Sequence, residues 1–368
     1  MTGDIMRRDA TQSIIEVCQL GLDPEALRTR LLPLLRRAVP ADAVWWATSD
    51  PATLLFTGTY QDQIPTSTKS YFVHNEFLTD DVNKWTDVAR HKDGVRTLRE
   101  ATGGLMSRSA RYAEIFEPLG FGDELRAVFR IHGASWGFVC LHREGRRPFL
   151  HEDVQFMKRV APHVALGLRA GLVVAAVDNA HVGDAPGVVL LSSELAVTGW
   201  TPAAEPWLAE LGYSGDADAQ IPTELLAVAA RLRGRDDPNA GIPRLRIRTR
   251  NGRWAVLHAS RLPTRDGDAI AVIIDNAGAA EVAPIIMLAY GLSAQERTIT
   301  GMVCQGMSTL EIAAQARISS NTVQDHLKSV FDKVGVRSRR ELVVQILRDH
   351  YVPHAQTRRE VGPTGFFA

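Results

Sequence analysis

Asn321, Gln324, Asp325 and Lys328 fall at steps that would place them together on one face of a helix. Val323, Leu327, Val330 and Val334 follow 4-3-4 spacing and would fill the opposite face. A carboxamide can bond an adenine edge twice, a carboxylate accepts from cytosine, and an ammonium group reaches guanine. The polar face therefore has the chemistry to read bases. A helix of this kind fits the major groove of a duplex, with its N-terminal residues nearest the base edges. Beyond it Lys333, Arg337, Arg339 and Arg340 cluster where phosphate contacts are expected.

Such a helix has to be started, stopped and held at an angle. Ser319 is placed to cap it and Gly335 to end it. Around it stand three Ser-x-x-Glu capping boxes, Ser293/Glu296, Ser308/Glu311 and Ser338/Glu341, each ahead of an apolar periodic stretch. The spacing predicts four helices at 294–305, 309–316, 320–334 and 339–348. Only Arg317-Ile318-Ser319 joins the second to the third, and Ala313 and Ala314 leave room for close contact, which makes a helix-turn-helix. Over residues 292–350 eight basic side chains face six acidic ones, a net +2. With so small an electrostatic footprint, tight binding calls for two copies on paired half-sites.

Leu292-Ser-Ala-Gln-Glu-Arg297, Gly306-Met-Ser-Thr-Leu-Glu-Ile-Ala-Ala314, Ile318-Ser-Ser-Asn-Thr-Val-Gln-Asp-His326 and Lys333-Val-Gly-Val336 resemble the LuxR-type DNA-binding domain almost position for position. The resemblance implies that the third helix reads double-stranded DNA and that the fourth pairs two subunits. It makes Ser308, Thr309, Arg317, Ser319, Ser320, Asn321, Thr322, Gln324, Asp325, Lys328, Lys333 and Arg337 the candidate DNA contacts. Leu342, Val343 and Ile346 are the candidate dimer contacts, and RNA polymerase is a further expected partner. Thr309 and Gln324 stand where the family often has lysine, so the preferred site should differ, with Gln324 favouring adenine over guanine.

The remaining chain must carry and control this head. With 368 residues there is room for two or three compact domains, and 42 basic residues against 42 acidic ones exclude a chain that is basic throughout. Cys18, Cys140 and Cys304 are scattered and form no CxxC pair, which argues against a disulfide framework or a zinc site and fits a reducing cytoplasm. No apolar run is long enough to cross a bilayer, so no membrane role and a cytoplasmic location are expected.

Three blocks follow residues 1–13, which read as a tail. The first, 14–170, opens with the helical spacing of Leu27, Leu31, Leu34 and Leu35 and continues into a β-rich stretch Ala43–Ala47. Strand-like runs Leu125–Ile131 and Ser135–His142 flank the turn His132-Gly133-Ala134, and a closing helix starts near His151. In that helix Val154, Met157, Val160, Val164 and Leu168 form one stripe, either a dimer seam or packing on the block's own sheet, with Pro162 expected to kink it. After a helix end and linker at 171–185, the second block at 186–280 has short strands Val188–Leu191 and Leu195–Trp200. A helix capped by Thr201 with Pro202 follows, then strands Arg244–Thr249, Trp254–Ser260 and Ile270–Asp275, with turns at Asn251-Gly252 and Asp266-Gly267. The head occupies 285–350, and 351–368 read as disordered.

The first block resembles a GAF-type domain. The second, through Val188–Leu208, Trp254–Asp275 and the turn Gly252–Trp254, resembles a PAS-type domain. The resemblances imply a multidomain α+β chain: two antiparallel-sheet sensor domains ahead of an all-α four-helix head. Both sensor types bind small ligands or mediate dimerisation. Trp45, Trp46, Tyr60, Phe72 and Trp85 are candidates to line an apolar pocket, with ordinary core packing the competing reading.

No phosphoreceiver pocket, GxxxxGK[ST] loop or nucleophile elbow is present, so neither ATP-driven control nor a hydrolase can be argued and the chain is not read as an enzyme. His74, His91, His132, His142, His151 and His163 include no pair at ligand spacing, so no metal and no cofactor is expected. Cys140, in a strand, should be an inert buried thiol, and Cys18 and Cys304, on apolar helical faces, likewise. The sequence thus reads as a dimeric transcription regulator switched by an unidentified small effector in its N-terminal half. The alternative is a regulator whose N-terminal half is a dimerisation or docking scaffold with no ligand.

Overall fold

The computed structural model describes residues 2–145, 147–174, 185–213, 221–234, 242–264 and 267–348. Most of the linker expected at 171–185, the residue Asp266 and the tail expected at 351–368 lie outside the described residues. The chain divides into two compact units, one holding both sheets and one holding the C-terminal helices.

The first unit opens with α1 (Thr2–Cys18) and α2 (Pro24–Ala38). The tail expected at 1–13 is therefore corrected to a helix. Ala10, Ile14 and Cys18, four residues apart, are all buried, and Arg7 donates to Asp153 at 2.8 Å. Strands β1 (Ala43–Ser49) and β2 (Phe56–Asp62) are followed by α3 (Lys69–Leu78), α4 (Trp85–Arg90), β3 (Val95–Thr97) and α5 (Leu98–Thr102). Then come the long hairpin β4 (Phe121–Ile131) and β5 (Ala134–Glu144) and the helix α6 (His151–Val174). His132 and Gly133 both have positive φ (49° and 79°), as the two-residue hairpin turn requires.

The strand order is β2-β1-β5-β4-β3, all antiparallel. Helix α6 is continuous through Pro162, and its Met157, Val160, Val164 and Leu168 are buried within this chain. Four of the five stripe residues thus pack on the block's own elements, and Val154 is half-buried. A Cβ on Gly171 would stand 2.3 Å from Leu22 O and one on Gly167 3.2 Å from Cys18 Cα, so glycine lets α6 approach α1 and the turn before α2.

The second sheet comprises β6 (Gly187–Leu191) and β7 (Val197–Trp200), then, after α7 (Glu205–Glu210) and α8 (Thr223–Arg233), β8 (Arg244–Arg248), β9 (Trp254–Thr264) and β10 (Gly267–Asn276). Its order, β7-β6-β10-β9-β8, repeats the topology of the first sheet. Thr201 does not cap the turn that Pro202 begins; its hydroxyl accepts from Val188 N–H at 3.0 Å and ties that turn to β6.

Helix α8 is the element that the linker-based division into blocks does not anticipate. Leu225, Leu226, Ala227, Val228, Ala229 and Ala230 are all buried, so it has no solvent face. It packs on α3 and β2 of the first block as well as on β8 and β10 of the second. Arg246 grips Asp50 with both carboxylate oxygens, at 2.9 and 2.7 Å, and Thr59 and Thr223 hydroxyls meet at 3.0 Å. The two sheets consequently share one hydrophobic core.

The second unit contains α9 (Ala279–Ala289), α10 (Ala294–Cys304), α11 (Thr309–Ala316), α12 (Ser320–Val334) and α13 (Arg339–Arg348). The last four match the four expected helices. The first is additional: Val282, Ile285 and Ile286 are buried, and Gln345 on α13 donates to the Tyr290 hydroxyl at its end at 3.1 Å. No helix among the described residues is long and apolar enough to cross a membrane.

Candidate nucleic-acid interface

The caps that start these helices form as their sequence spacing requires. Ser293 N–H donates to Glu296 at 2.6 Å while Glu296 N–H returns to the serine hydroxyl at 3.3 Å, and Ser308 and Glu311 repeat the same pair of distances. At the third box Glu341 N–H donates to Ser338 Oγ at 3.1 Å, but the glutamate reaches one residue further back, to Arg337 N–H at 2.8 Å. Ser319 accepts from Thr322 N–H at 3.1 Å and starts α12. Between α11 and α12 the chain turns at Arg317, in the left-handed region (φ 56°), where Ile318 N–H donates to Ala313 O at 3.1 Å. A side chain there is strained relative to glycine, and it stands exposed beside the start of α12.

Helix α12 divides as its sequence implies. Val323, Leu327, Val330 and Val334 are buried; Asn321, Gln324, Asp325 and Lys328 are exposed, while Ser320 and Thr322 are half-buried. With exposed Arg317 and Ser319, this surface holds most of the candidate base and phosphate contacts. Ser308 is exposed but occupied as a cap, and Arg337 is exposed at the far end.

Five expected contacts, three to DNA and two between subunits, have partners within this chain. Lys333 Nζ lies 2.8 and 2.7 Å from the two oxygens of Glu296, which also accepts from Ser329 Oγ at 2.7 Å. Burial alone would raise the Glu296 pKa; the hydrogen bonds from Lys333, Ser293 and Ser329 instead hold it at about 2. Lys333 is therefore a strut between α10 and α12. Thr309 is half-buried and accepts from Arg339 Nη1 at 3.2 Å, while Arg339 Nη2 donates to Met307 O at 2.7 Å, so these two fasten α11 to α13. Leu342 and Ile346, expected at a subunit seam, are fully buried in this chain's own core; α13 leaves half-buried Val343 and exposed Val344 outside. A leucine and an isoleucine four residues apart mark an apolar face, but periodicity does not say whose core it enters.

In the first unit the candidate aromatic residues separate. Trp45 stacks with Trp85 (centroids 5.6 Å apart) and touches Phe72 and Phe56 at 4.9 and 5.0 Å. Trp46, one residue on, points to the opposite face of the sheet against Phe129 (4.6 Å), and Tyr60, its cross-strand partner, lies under the Arg28 guanidinium at 4.2 Å. Alternation along a strand makes this division unavoidable. Only Trp45, Phe72 and Trp85 can share a site.

Beside them lies a polar cluster with no counterpart in the sequence reading. Arg126 Nε donates to Glu124 at 2.7 Å and its Nη1 to Glu76 at 2.9 Å and Asn83 O at 3.0 Å. Arg111 bonds Glu124 at 2.8 Å and Asp81 at 3.3 Å. Burial alone would raise the Glu124 pKa, yet the two guanidiniums hold its carboxyl far below the usual range. Cys140 Sγ is 3.0 Å from Glu124 and 3.2 Å from His142 Nε2; burial, then the charge of Glu124, pushes the thiol well above its ordinary pKa. Burial also takes Cys18 up to about 12 and raises Cys304, so none of the three offers a thiolate.

Comparison with known proteins bears on the second unit. A family model described as bacterial regulatory proteins, luxR family, matches residues 291–346. The chain is 37% identical over 57 residues to the spore germination protein GerE of Bacillus subtilis (strain 168), covering 16% of this chain and 77% of GerE. It is 50% identical over 52 residues to the monoamine regulon transcriptional regulator of Klebsiella aerogenes, covering 14% of this chain but 23% of that protein. With the probable transcriptional regulatory protein SgaR of Hyphomicrobium methylovorum it shares 46% over 48 residues, again 23% of the relative and 13% of this chain. Among solved structures, Escherichia coli SdiA is similar over 91% of this chain and 94% of its own, at 13% identity and a TM-score of 0.33.

Proposed function

The chain belongs to the luxR family of bacterial regulatory proteins, and from that premise we propose that it is a cytoplasmic, dimeric transcription regulator whose α12 enters the major groove of DNA. The observation that carries the proposal is the exposed row Asn321, Gln324, Asp325 and Lys328, backed by four buried apolar residues on the same helix. Its amide groups suit adenine edges, and Gln324 favours adenine where a lysine would favour guanine. Arg317, Ser319 and Arg337 flank the row as phosphate contacts. Pairing of two copies supplies the affinity that a net +2 head lacks on its own, and RNA polymerase is the partner through which bound protein acts on transcription. A gel-shift titration of the full chain on fragmented genomic DNA at low salt tests this; failure to retard any fragment overturns it.

The N-terminal unit is proposed to combine a GAF-like block at 14–170 with a PAS-like block at 186–280, and to sense a small effector that favours one arrangement of the heads over another. A second reading treats the same unit as a scaffold without a ligand, and the α8-filled common core favours it. Thermal-shift screening of the full chain separates the two.

A further inference from the structure

The acidic side chains of the second unit's last four helices divide into two groups. Glu296 holds Lys333 and Ser329, Glu311 closes the Ser308 cap, and Glu341 accepts from Arg337 N–H. Among the described residues 292–348, Asp325 and Asp332 are the acids with neither a hydrogen bond nor an ion pair. Both stand exposed on α12, and Lys328, one turn beyond Asp325 and also exposed, does not pair with it.

Position sets Asp325 apart. At about 100° per residue it lies about 170° round α12 from the mean direction of the buried Val323, Leu327, Val330 and Val334. No other residue of the first two turns points so directly away from the hydrophobic core. Asp332 shares this line about two turns further on, at the end of the helix remote from the bases. A helix that enters the major groove with this face leading brings Asp325 to the groove floor, towards base edges rather than phosphates.

A carboxylate at that place accepts hydrogen bonds and donates none. Guanine shows it N7 and O6, and thymine shows O4 and a methyl group, so neither base answers it. Adenine has the N6 amino group, but its N7 acceptor would face the second carboxylate oxygen. Cytosine presents its N4 amino group with a C–H beside it, and so suits a carboxylate where a carboxamide suits adenine. On any other base the carboxylate gives up its water, finds no donor and stands next to a polyanion. One side chain thus attracts at one base pair and repels elsewhere, the two parts that discrimination needs.

We propose that Asp325 is a specificity-determining residue: it selects cytosine at one position of each half-site and holds the protein off DNA that lacks it. The proposal rests on the reading of α12 as the helix that enters the groove, and it assigns one base to one of its side chains.

The test uses the full-length protein and a duplex that wild type selects from a random pool. Each cytosine of the selected site is replaced in turn by N4-methylcytosine, which keeps the base pair and puts a methyl group where the major-groove N–H was. Affinity, read by fluorescence anisotropy, should fall about tenfold at one cytosine of each half-site, the cost of one wrong base pair. Asp325→Ala should bind the methylated and unmethylated duplexes equally, whereas Gln324→Ala, which keeps the carboxylate, should still discriminate. On a duplex without the site, Asp325→Ala and Asp325→Asn should both bind several-fold more tightly than wild type at low salt, because each removes a negative charge from the interface. Asp325→Asn keeps the shape of the side chain and guards against loss of fold in the alanine variant. Wild type indifferent to methylation at every cytosine overturns the proposal. So does an Asp325→Ala protein as sensitive as wild type, or a sensitivity that moves to N6-methyladenine. Asn321→Ala keeps the two readings apart. A preference lost in that variant but unchanged in Asp325→Ala removes the role of Asp325 and leaves α12 as the reading helix; a pool without enrichment removes both.

Discussion

Two lysines on one helix, five residues apart, should behave in opposite ways. Lys328 is exposed and forms no ion pair among the described residues, whereas Lys333 lies 2.7 and 2.8 Å from the oxygens of Glu296, whose side chain is only 5% exposed. Replacing Lys333 with methionine takes away two charge-assisted hydrogen bonds and leaves the carboxylate with Ser329 and the Ser293 N–H as donors. Hydrogen bonds to charged groups contribute about 1.5–3 kcal/mol. The ammonium is 38% exposed, and solvent screening discounts the figure to the lower part of that range, about 2 kcal/mol. That corresponds to about a 30-fold rise in local opening. Hydrogen exchange read by mass spectrometry on the full chain should show it as faster exchange of α10 and α12 amides in Lys333→Met, with little change in Lys328→Met. DNA binding measured against salt should show the converse. Lys328→Met should lower the slope by about 0.9 per bound copy, and Lys333→Met should leave it unchanged. A Lys333→Met protein that loses salt slope while its α10 and α12 amides exchange as in wild type would refute the assignment of this lysine as a strut.

The depressed Glu296 pKa gives a pH signature. The folded value of about 2 lies below the ordinary 4.5, so its stabilising contribution is full above pH 4.5 and is lost as pH falls through 2; protection of α10 amides, taken relative to their intrinsic exchange rates, should fall over that window in wild type and less so in Glu296→Gln. Arg339→Met should loosen α11 from α13 by about 1 kcal/mol, the worth of one to two hydrogen bonds, visible as faster exchange of α11 amides with no change in the salt slope. Gly171→Ala should destabilise the first unit by about 1–3 kcal/mol, because the new methyl would overpack against Leu22 O; an unaltered thermal melt would show that α6 does not depend on that approach.

What was legible in the sequence was whatever acts locally. The Ser-x-x-Glu boxes, Gly335 and the 4-3-4 valines state the helices of the second unit because caps and faces are decided by neighbours three or four residues away. The Lys333–Glu296 strut spans 37 positions and joins two helices directly, so no periodicity encodes it. The same limit applies to Leu342 and Ile346, whose apolar face is visible although its owner is not. Helix α1 was obscured by its charged start, since Arg7, Arg8 and Asp9 dilute the stripe that Ala10, Ile14 and Cys18 complete. Trp45 and Trp46 could have been separated by the two-residue period of a strand. The same period puts Arg126 and Glu124 on one face of β4, but their further partners Glu76, Asn83 and Arg111 lie 13 to 50 positions away, which no period encodes.

Reading of DNA by this chain requires the outward row of α12 to meet base edges. Site selection from a random duplex pool, run with full-length wild type, Asn321→Ala and Gln324→Ala, addresses it directly. Wild type should enrich one defined sequence, and Gln324→Ala should lose an adenine preference at one position of it, a difference of about 1–3 kcal/mol per base pair. Asn321→Ala should relax a neighbouring position. A pool that shows no enrichment at low salt, or variants that enrich the wild-type sequence without change, would contradict the claim that this face reads DNA.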